Sequence, residues 1–105
     1  MLLDESVPRP VLRAFPKGKA TTVDLLGWKG IKNGSLLLRA EAQGFEVLIT
    51  SDKSMADQND LSNRQLAVLV LPHANWPKLR GMLDKIAAAV TGLPPGTFTQ
   101  LPPGR

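Results

Sequence analysis

The strongest constraint on the fold comes from short, almost wholly apolar segments that recur along the chain. LAVLVL at 66–71 and EVLIT at 46–50 are two of them, and MLLD at 1–4 is a third. Apolar runs this short are typical of strands that are buried on both faces. Strands of this kind form parallel sheets with helices on both sides. The sequence therefore predicts an α/β fold.

Helix signals lie between these apolar segments. Ser6 is a candidate N-cap for a first helix over VLRAF. SLLLRAEAQ predicts a helix that starts at Asn33 or Ser35 and stops at Gly44, a residue suited to a helix C-terminus. The stretch 76–90 predicts a last helix with one apolar face. The predicted order is β-α-β-α-β-(α)-β-α-β.

Weaker strand signals complete the predicted sheet. ATTVD at 20–24 is rich in β-branched residues, and TFTQL near the C-terminus is a candidate short edge strand. We predict a three-layer α/β sandwich with a mostly parallel central sheet of about four or five strands. Residues 1–93 would form one domain, and residues 94–105 would be a short strand and a tail rich in proline and glycine.

Composition limits the chemistry that the chain can support. It has no cysteine and a single histidine, His73, which excludes thiolate sites and multi-histidine zinc sites. A metal would have to be held by carboxylates, which favours Mg²⁺ or Mn²⁺. The net charge of +4 is compatible with a phosphate-rich partner, although such an excess of Lys and Arg equally serves solubility.

Neither a membrane span nor a signal peptide is recognisable. No stretch approaches the ~18 apolar residues that a membrane helix needs. The start MLLDE lacks the basic residues and the apolar run of a signal peptide. We therefore expect a cytoplasmic protein with no membrane partner.

Acidic residues follow two of the apolar strands where each strand ends. Asp4 and Glu5 follow the first strand, and Asp52 follows the third. The carboxyl ends of parallel strands meet at one edge of a sheet, so these acids are expected to converge there. A divalent cation would neutralise them, bind a phosphate and activate water. The alternative is that these acids cap turns, and Glu5 is the weakest candidate because side chains alternate along a strand.

Basic and aromatic residues lie near the predicted site. Lys53 follows Asp52 and is a candidate contact for a scissile or flanking phosphate, and Lys29 and Lys32 are candidates for contacts to an RNA backbone. A solvated rim is an equally good interpretation of these lysines. Trp28 is a candidate for stacking on a base, but a core or interface position is the better interpretation.

Several strings in the chain resemble a known family. MLLDESVP, LGWKGIKNGSLLLRAEAQGFEVLITSDKSM and DQNDLSNRQLAVLVLP occur, in this order over residues 1–90, as in small PIN-like proteins encoded as toxins of toxin–antitoxin pairs. The resemblance implies a PIN-like sandwich and a Mg²⁺- or Mn²⁺-dependent ribonuclease site. It implies that Asp4 and Asp52 are metal-site acids with Glu5 and Lys53 beside them, and that an antitoxin protein is a partner.

One position departs from the PIN pattern. PIN domains usually carry another acid near the helix that precedes the third strand, and Asn33 stands at that place here. An asparagine binds a substrate by hydrogen bonds or ligates a metal weakly through oxygen, but it carries no charge. Glu41 is a distant substitute, two turns further along the predicted helix.

The predicted function is that of a metal-dependent endoribonuclease that hydrolyses RNA phosphodiester bonds, as the toxin of a toxin–antitoxin pair. One alternative is a catalytically weak or inactive PIN-like binding protein, which Asn33 favours. A second is a receiver-like signalling module, but the chain lacks the Ser or Thr after the fourth strand and the Lys after the fifth that a receiver needs. A second copy of the chain is a further candidate partner.

Overall fold

The computed structural model describes residues 1–61 and 64–103. These residues form one β-sheet with helices packed against it. The sheet has five strands in the order β2-β1-β3-β4-β5, and every pair of neighbours is parallel. The strands are β1 Leu2–Leu3, β2 Thr21–Thr22, β3 Val47–Thr50, β4 Ala67–Val70 and β5 Phe98–Gln100. The predicted α/β fold with a parallel central sheet covered by helices is confirmed.

Helices connect the strands and cover the sheet. They are a 3₁₀ helix Arg9–Ala14, α1 Asn33–Ala42, α2 Met55–Gln58, α3 Trp76–Leu79, a second 3₁₀ helix Arg80–Met82 and α4 Leu83–Val90. No helix in the described ranges is long and apolar enough to cross a membrane. Residues 62–63 of the predicted polar segment and residues 104–105 of the predicted tail lie outside the described part of the chain.

The core consists of two clusters, one on each face of the sheet. Alternate strand residues belong to different clusters, because successive side chains of a strand point to opposite faces. Leu2 and Leu48 pack with α1 in one cluster, whereas Leu3 and Ile49 pack with α4 in the other. This double burial explains why almost every position of the central strands is apolar.

The first helix differs from the prediction in its type and its cap. It is a 3₁₀ helix rather than an α-helix, and Pro10, which has no N–H to donate, lies in its first turn. The prediction that Ser6 caps it is wrong, since the Ser6 hydroxyl donates to Asp4 and the helix has no side-chain cap. Ser6 is therefore a residue of the strand end rather than of the helix.

The last helix has the predicted bounds but is not continuous. A turn of 3₁₀ helix at Arg80–Met82 separates α3 from α4, at the position of Gly81, a poor helix former. Leu79, Met82 and Ile86 are nevertheless all buried, so the predicted apolar face survives the break.

The pairing of β1 with β3 determines which chain segments meet at the carboxyl edge. Leu2 lies opposite Leu48 and Leu3 opposite Ile49. The next residue, Asp4, continues the ladder by donating its N–H to the carbonyl of Ile49 at 3.0 Å. The strand order reverses between β1 and β3, and ligands of open α/β sheets bind at such a point.

Gly96 makes a testable contribution to the docking of β5. Its φ of +74° is in the left-handed region, and a Cβ there would lie 3.0 Å from the carbonyl oxygen of Arg64 and 3.1 Å from that of Leu61. We expect Gly96→Ala to lower the free energy of unfolding by ~1–3 kcal/mol. Denaturant unfolding measures this change.

Gly92→Ala is the matched control. A Cβ at Gly92 meets nothing within 4 Å. We expect Gly92→Ala to stay within ~1 kcal/mol of the wild-type protein. Equal effects of the two substitutions would contradict the described packing at Gly96.

Candidate active site

Asp4 is a buried carboxylate at the end of β1. Its exposed fraction is 6%, which is unusual for an aspartate. Oδ1 accepts hydrogen bonds from the Ser6 N–H at 3.0 Å and from the Ser6 hydroxyl at 2.6 Å. Oδ2 accepts a short hydrogen bond from the hydroxyl of Thr50. Three donors therefore hold this carboxylate in one orientation.

Thr50, the last residue of β3, links the two predicted metal-site acids. Its side chain is fully buried. Its Oγ1 donates to Asp4 and accepts the N–H of Asp52 at 3.0 Å. One hydroxyl thus joins the side chain of Asp4 to the backbone of Asp52, so the two acids lie at the same edge, as the sequence predicts.

Asp52 has hydrogen-bond partners on both carboxylate oxygens. Oδ1 accepts from the N–H of Ser54 at 2.9 Å and from its hydroxyl at 2.6 Å. Oδ2 accepts from Nδ2 of Asn33 at 3.0 Å. Asn33 is the first residue of α1, so the start of this helix reaches the end of β3. The residue that stands where PIN domains usually have an acid is therefore in direct contact with Asp52.

The same local turn occurs at the ends of both strands. Asp4-Glu5-Ser6 and Asp52-Lys53-Ser54 each place a serine two residues after an aspartate, and in each the serine binds Oδ1 through N–H and hydroxyl. Side-chain hydrogen bonds to nearby backbone are typical of Asp and Ser at such turns. In both turns the Oδ2 atom is left with one hydrogen bond and with capacity for a further ligand.

The two acids have opposite pKa shifts. Burial raises the pKa of Asp4, and the nearby charge of Asp52 adds to this, while hydrogen bonds from Ser6 and Thr50 oppose it. Hydrogen bonds from the Ser54 and Asn33 side chains lower the pKa of Asp52. Asp4 therefore ionises less readily than Asp52.

A cleft of about 280 Å³ lies beside these acids. Asp4, Glu5, Asn33 and Asp52 all border it, and Trp28 is one of its apolar lining residues. All three predicted metal-site acids therefore border the same cleft, and Asn33 borders it as well. Glu5 differs from the other two acids, because it is exposed and its Oε1 accepts a short hydrogen bond from the N–H of Gly30.

The predicted lysines are exposed and lie in different places. Lys29 borders a second cavity of about 300 Å³ that shares Asp4 and Glu5 with the cleft. Lys32 directly precedes α1, next to Asn33. Lys53 borders a separate cavity of about 240 Å³ with residues of β4 and of the segment after β5. Being next to Asp52 in sequence therefore does not bring Lys53 into the cleft.

Three residues of the site were not identified from the sequence. Ser6, Thr50 and Ser54 supply the hydroxyl groups that orient the two aspartates. The repeated Asp-x-Ser spacing is a signal that could have revealed both serines. Glu41 is held elsewhere, since its oxygens accept from the Arg64 side chain at 2.8 Å and the Gln65 N–H at 2.9 Å.

The donor set suits a hydrated divalent ion rather than a closed metal cage. Within residues 1–61 and 64–103 there is no group of three or more His, Cys, Asp or Glu that could hold a metal. Asp4 and Asp52 each have one carboxylate oxygen with a single hydrogen bond, and Mg²⁺ commonly binds through one or two carboxylates while retaining water.

Comparisons of this chain with protein-family models, with curated proteins and with solved structures found no match.

Asp4→Asn and Asp52→Asn are expected to change the pH-dependent part of the stability in opposite directions in metal-free buffer. The pKa of Asp4 is raised, so its ionised form costs stability at pH values above that pKa, and the amide removes this cost. The pKa of Asp52 is lowered, so its ionised form stabilises the fold above the ordinary pKa of an aspartate, and the amide loses this gain. Urea unfolding measures both free energies.

The pH dependence supplies the control for this pair. The Asp4→Asn difference is expected to shrink as the pH falls through the raised pKa of Asp4. The Asp52→Asn difference is expected to shrink only as the pH falls through the lowered pKa of Asp52. Asp24→Asn, at an exposed turn after β2, should stay within ~0.5 kcal/mol of the wild type. An Asp4→Asn difference that stays constant as the pH falls through the raised pKa of Asp4 would contradict this account.

Proposed function

We propose that this protein is a PIN-like, metal-dependent ribonuclease that hydrolyses RNA phosphodiester bonds. The observation that carries the proposal is that the hydroxyl of Thr50 joins the side chain of Asp4 to the backbone of Asp52, at the point where the strand order reverses. Both acids border one open cleft. Two fixed carboxylates at such a position are suited to a divalent ion and a phosphate.

Asp4 and Asp52 would hold Mg²⁺ or Mn²⁺ through their Oδ2 atoms. Such an ion, when bound, supplies an activated water and neutralises charge on the phosphate. Ser6 and Ser54 hold the two Oδ1 atoms, so the carboxylates are oriented before a ligand arrives. Metal affinity and activity commonly fall ~10–100-fold when such outer hydrogen bonds are removed.

Asn33 has a restraining role in this proposal. Its amide nitrogen donates to Oδ2 of Asp52, the oxygen that would face the ion. A hydrogen-bond donor at this position competes with a cation, whereas an amide turned to present its oxygen would assist one. Lys29 and Lys32, which are exposed near the cleft, would contact flanking phosphates of the RNA.

The same proposal assigns the protein the biological role of a toxin. An RNA-cleaving enzyme of this kind would act in the cytoplasm and would require an antitoxin protein that covers the cleft. Asp4 and Asp52 both line the cleft, so a segment of such a partner seated in the cleft would cover both acids. Its exposed basic neighbours would suit an acidic segment.

A catalytically weak or inactive binding protein is the second candidate. The observation that favours it is that the described residues hold no group of three acids. Fewer carboxylates give a weaker metal site. In this case the cleft would bind RNA without cutting it.

The receiver-like alternative has less support. The strand order is one that receivers share. However, β4 is followed by Leu71 and Pro72, and β5 is followed by Leu101. Neither segment supplies the hydroxyl or the ammonium group that phosphoryl transfer to a receiver requires.

Cleavage of a fluorophore- and quencher-labelled single-stranded RNA tests the proposal. Wild-type protein should cut it in millimolar Mn²⁺ and should stop when the ion is chelated. Asp4→Asn and Asp52→Asn should each lower the rate by at least ~100-fold, because each removes a ligand that the site cannot replace. Asp84→Asn, an exposed acid on α4, is the control and should leave the rate unchanged.

Asn33→Asp separates the two candidate functions in the same assay. It replaces the donor to Asp52 with a third carboxylate and should strengthen metal binding. If the Asn33→Asp variant cleaves the RNA and the wild type does not, the result would favour a binding protein in which Asn33 has replaced an acid that cleavage needs. Equal rates for the wild type, Asp4→Asn and Asp52→Asn would refute the ribonuclease proposal.

A further inference from the structure

The cleft beside the acids is lined by both polar and apolar side chains. Asp4, Asn33 and Asp52 are among the polar lining residues. The apolar lining residues are Val23, Trp28, Ile31 and Leu36. A metal site that bound only a phosphate or a water would need no apolar lining. The pairing of an indole with a phosphate-binding edge is suited to a nucleotide, which has both an aromatic base and a charged phosphate.

We propose that the cleft binds an unpaired base of single-stranded RNA against Trp28, with the adjoining phosphate at Asp4 and Asp52. The inference rests on the proposed function and names its substrate class. A base in a duplex is already stacked and paired, whereas an unpaired base can leave the strand and enter a cleft. The subsite therefore selects single-stranded RNA.

Trp28 is held in place before any ligand binds. Its backbone N–H donates to the backbone carbonyl of Val23 at 2.8 Å, which fixes the main chain at this residue. The ring meets Phe45 edge to face, with centroids 6.2 Å apart and an interplanar angle of 86°. The guanidinium of Arg39 lies over the ring at 5.5 Å from its centroid. A side chain fixed in this way loses little conformational entropy when a base packs on it.

Trp28 has a double role in this arrangement. It packs against the cluster of core residues on the α1 face of the sheet and yet remains half-buried. Its remaining surface borders the cleft. The two interpretations of this residue from the sequence, core residue and base platform, are therefore compatible.

The charges around the cleft fit the same ligand. The carboxylates repel a phosphate unless a cation is present, so the phosphate is directed to the ion. Lys29 directly follows Trp28, and Lys32 precedes α1, and both are exposed to contact the neighbouring phosphates. The apolar residues that line the cleft suit the uncharged part of the nucleotide.

Tryptophan fluorescence tests the base subsite directly. The chain has two tryptophans, and Trp76 packs in the cluster on the opposite face of the sheet. In an Asp52→Asn background, which removes cleavage and one negative charge, Trp76→Phe leaves Trp28 as the only indole. A short single-stranded RNA should quench this emission in a saturable way. The corresponding Trp28→Phe protein, which retains Trp76, should show no saturable quenching.

Affinity supplies the second measurement, by anisotropy of a labelled RNA. Trp28→Ala should weaken binding of the single strand by ~5–150-fold, whereas Trp28→Phe, which keeps an aromatic ring, should stay within a few-fold of the parent. Trp28→Ala and the parent protein should bind a duplex of the same sequence with equal affinity. They should also bind an RNA with abasic residues with equal affinity. Circular dichroism checks that each variant folds, and the fluorescence test with Trp28→Phe stands if the alanine variant does not.

The outcomes separate this inference from the proposed function. One outcome would overturn the base subsite alone. In it, metal-dependent cleavage requires Asp4 and Asp52, substitution of Trp28 leaves the cleavage rate unchanged, and RNA does not quench the Trp28 emission. Binding that depends on Trp28, without any cleavage by the wild type, would support the subsite and refute the nuclease. Equal affinity for abasic and intact RNA would also overturn the subsite.

Discussion

The structure depends on the pairing of two very short strand segments, β1 and β3. Their register brings Asp4 beside Ile49 and Thr50, so the hydroxyl of Thr50 lies between Asp4 and the backbone of Asp52. The pairing is fixed by burial, since Leu2, Leu3, Leu48 and Ile49 fill both core clusters and a one-residue shift would exchange the two faces. The position of the acids follows from the packing of the core.

Burial of Asp4 has a cost that the fold partly offsets. An ionised carboxylate that is 6% exposed is unfavourable unless it is hydrogen-bonded, and Ser6 and Thr50 provide those bonds. Asp52, which is more exposed, is stabilised as an anion by Ser54 and Asn33. Ionised Asp4 therefore lowers the stability of the fold, whereas ionised Asp52 raises it, and shifted pKa values of this kind cluster at functional sites.

The sequence was sufficient for the sheet and for the convergence of the acids, because both follow from hydrophobic pattern and strand polarity. The sequence was not sufficient to predict which side chains form hydrogen bonds with the acids. Ser6 matched the preferences of a helix cap, and only the register of β1 against β3 shows that its hydroxyl binds Asp4. Lys53 follows Asp52 in sequence but borders another cavity, and sequence adjacency does not show which way a side chain points. Gly81 interrupts a helix whose apolar periodicity is continuous.

Binding of Mn²⁺ followed by NMR tests the central claim most directly. Paramagnetic broadening should centre on the amides of Ser6, Thr50 and Ser54, because these residues surround the oxygens of Asp4 and Asp52. The broadening should disappear in Asp52→Asn. Broadening centred elsewhere in the chain, or none at millimolar ion, would show that the two aspartates do not form a common cation site.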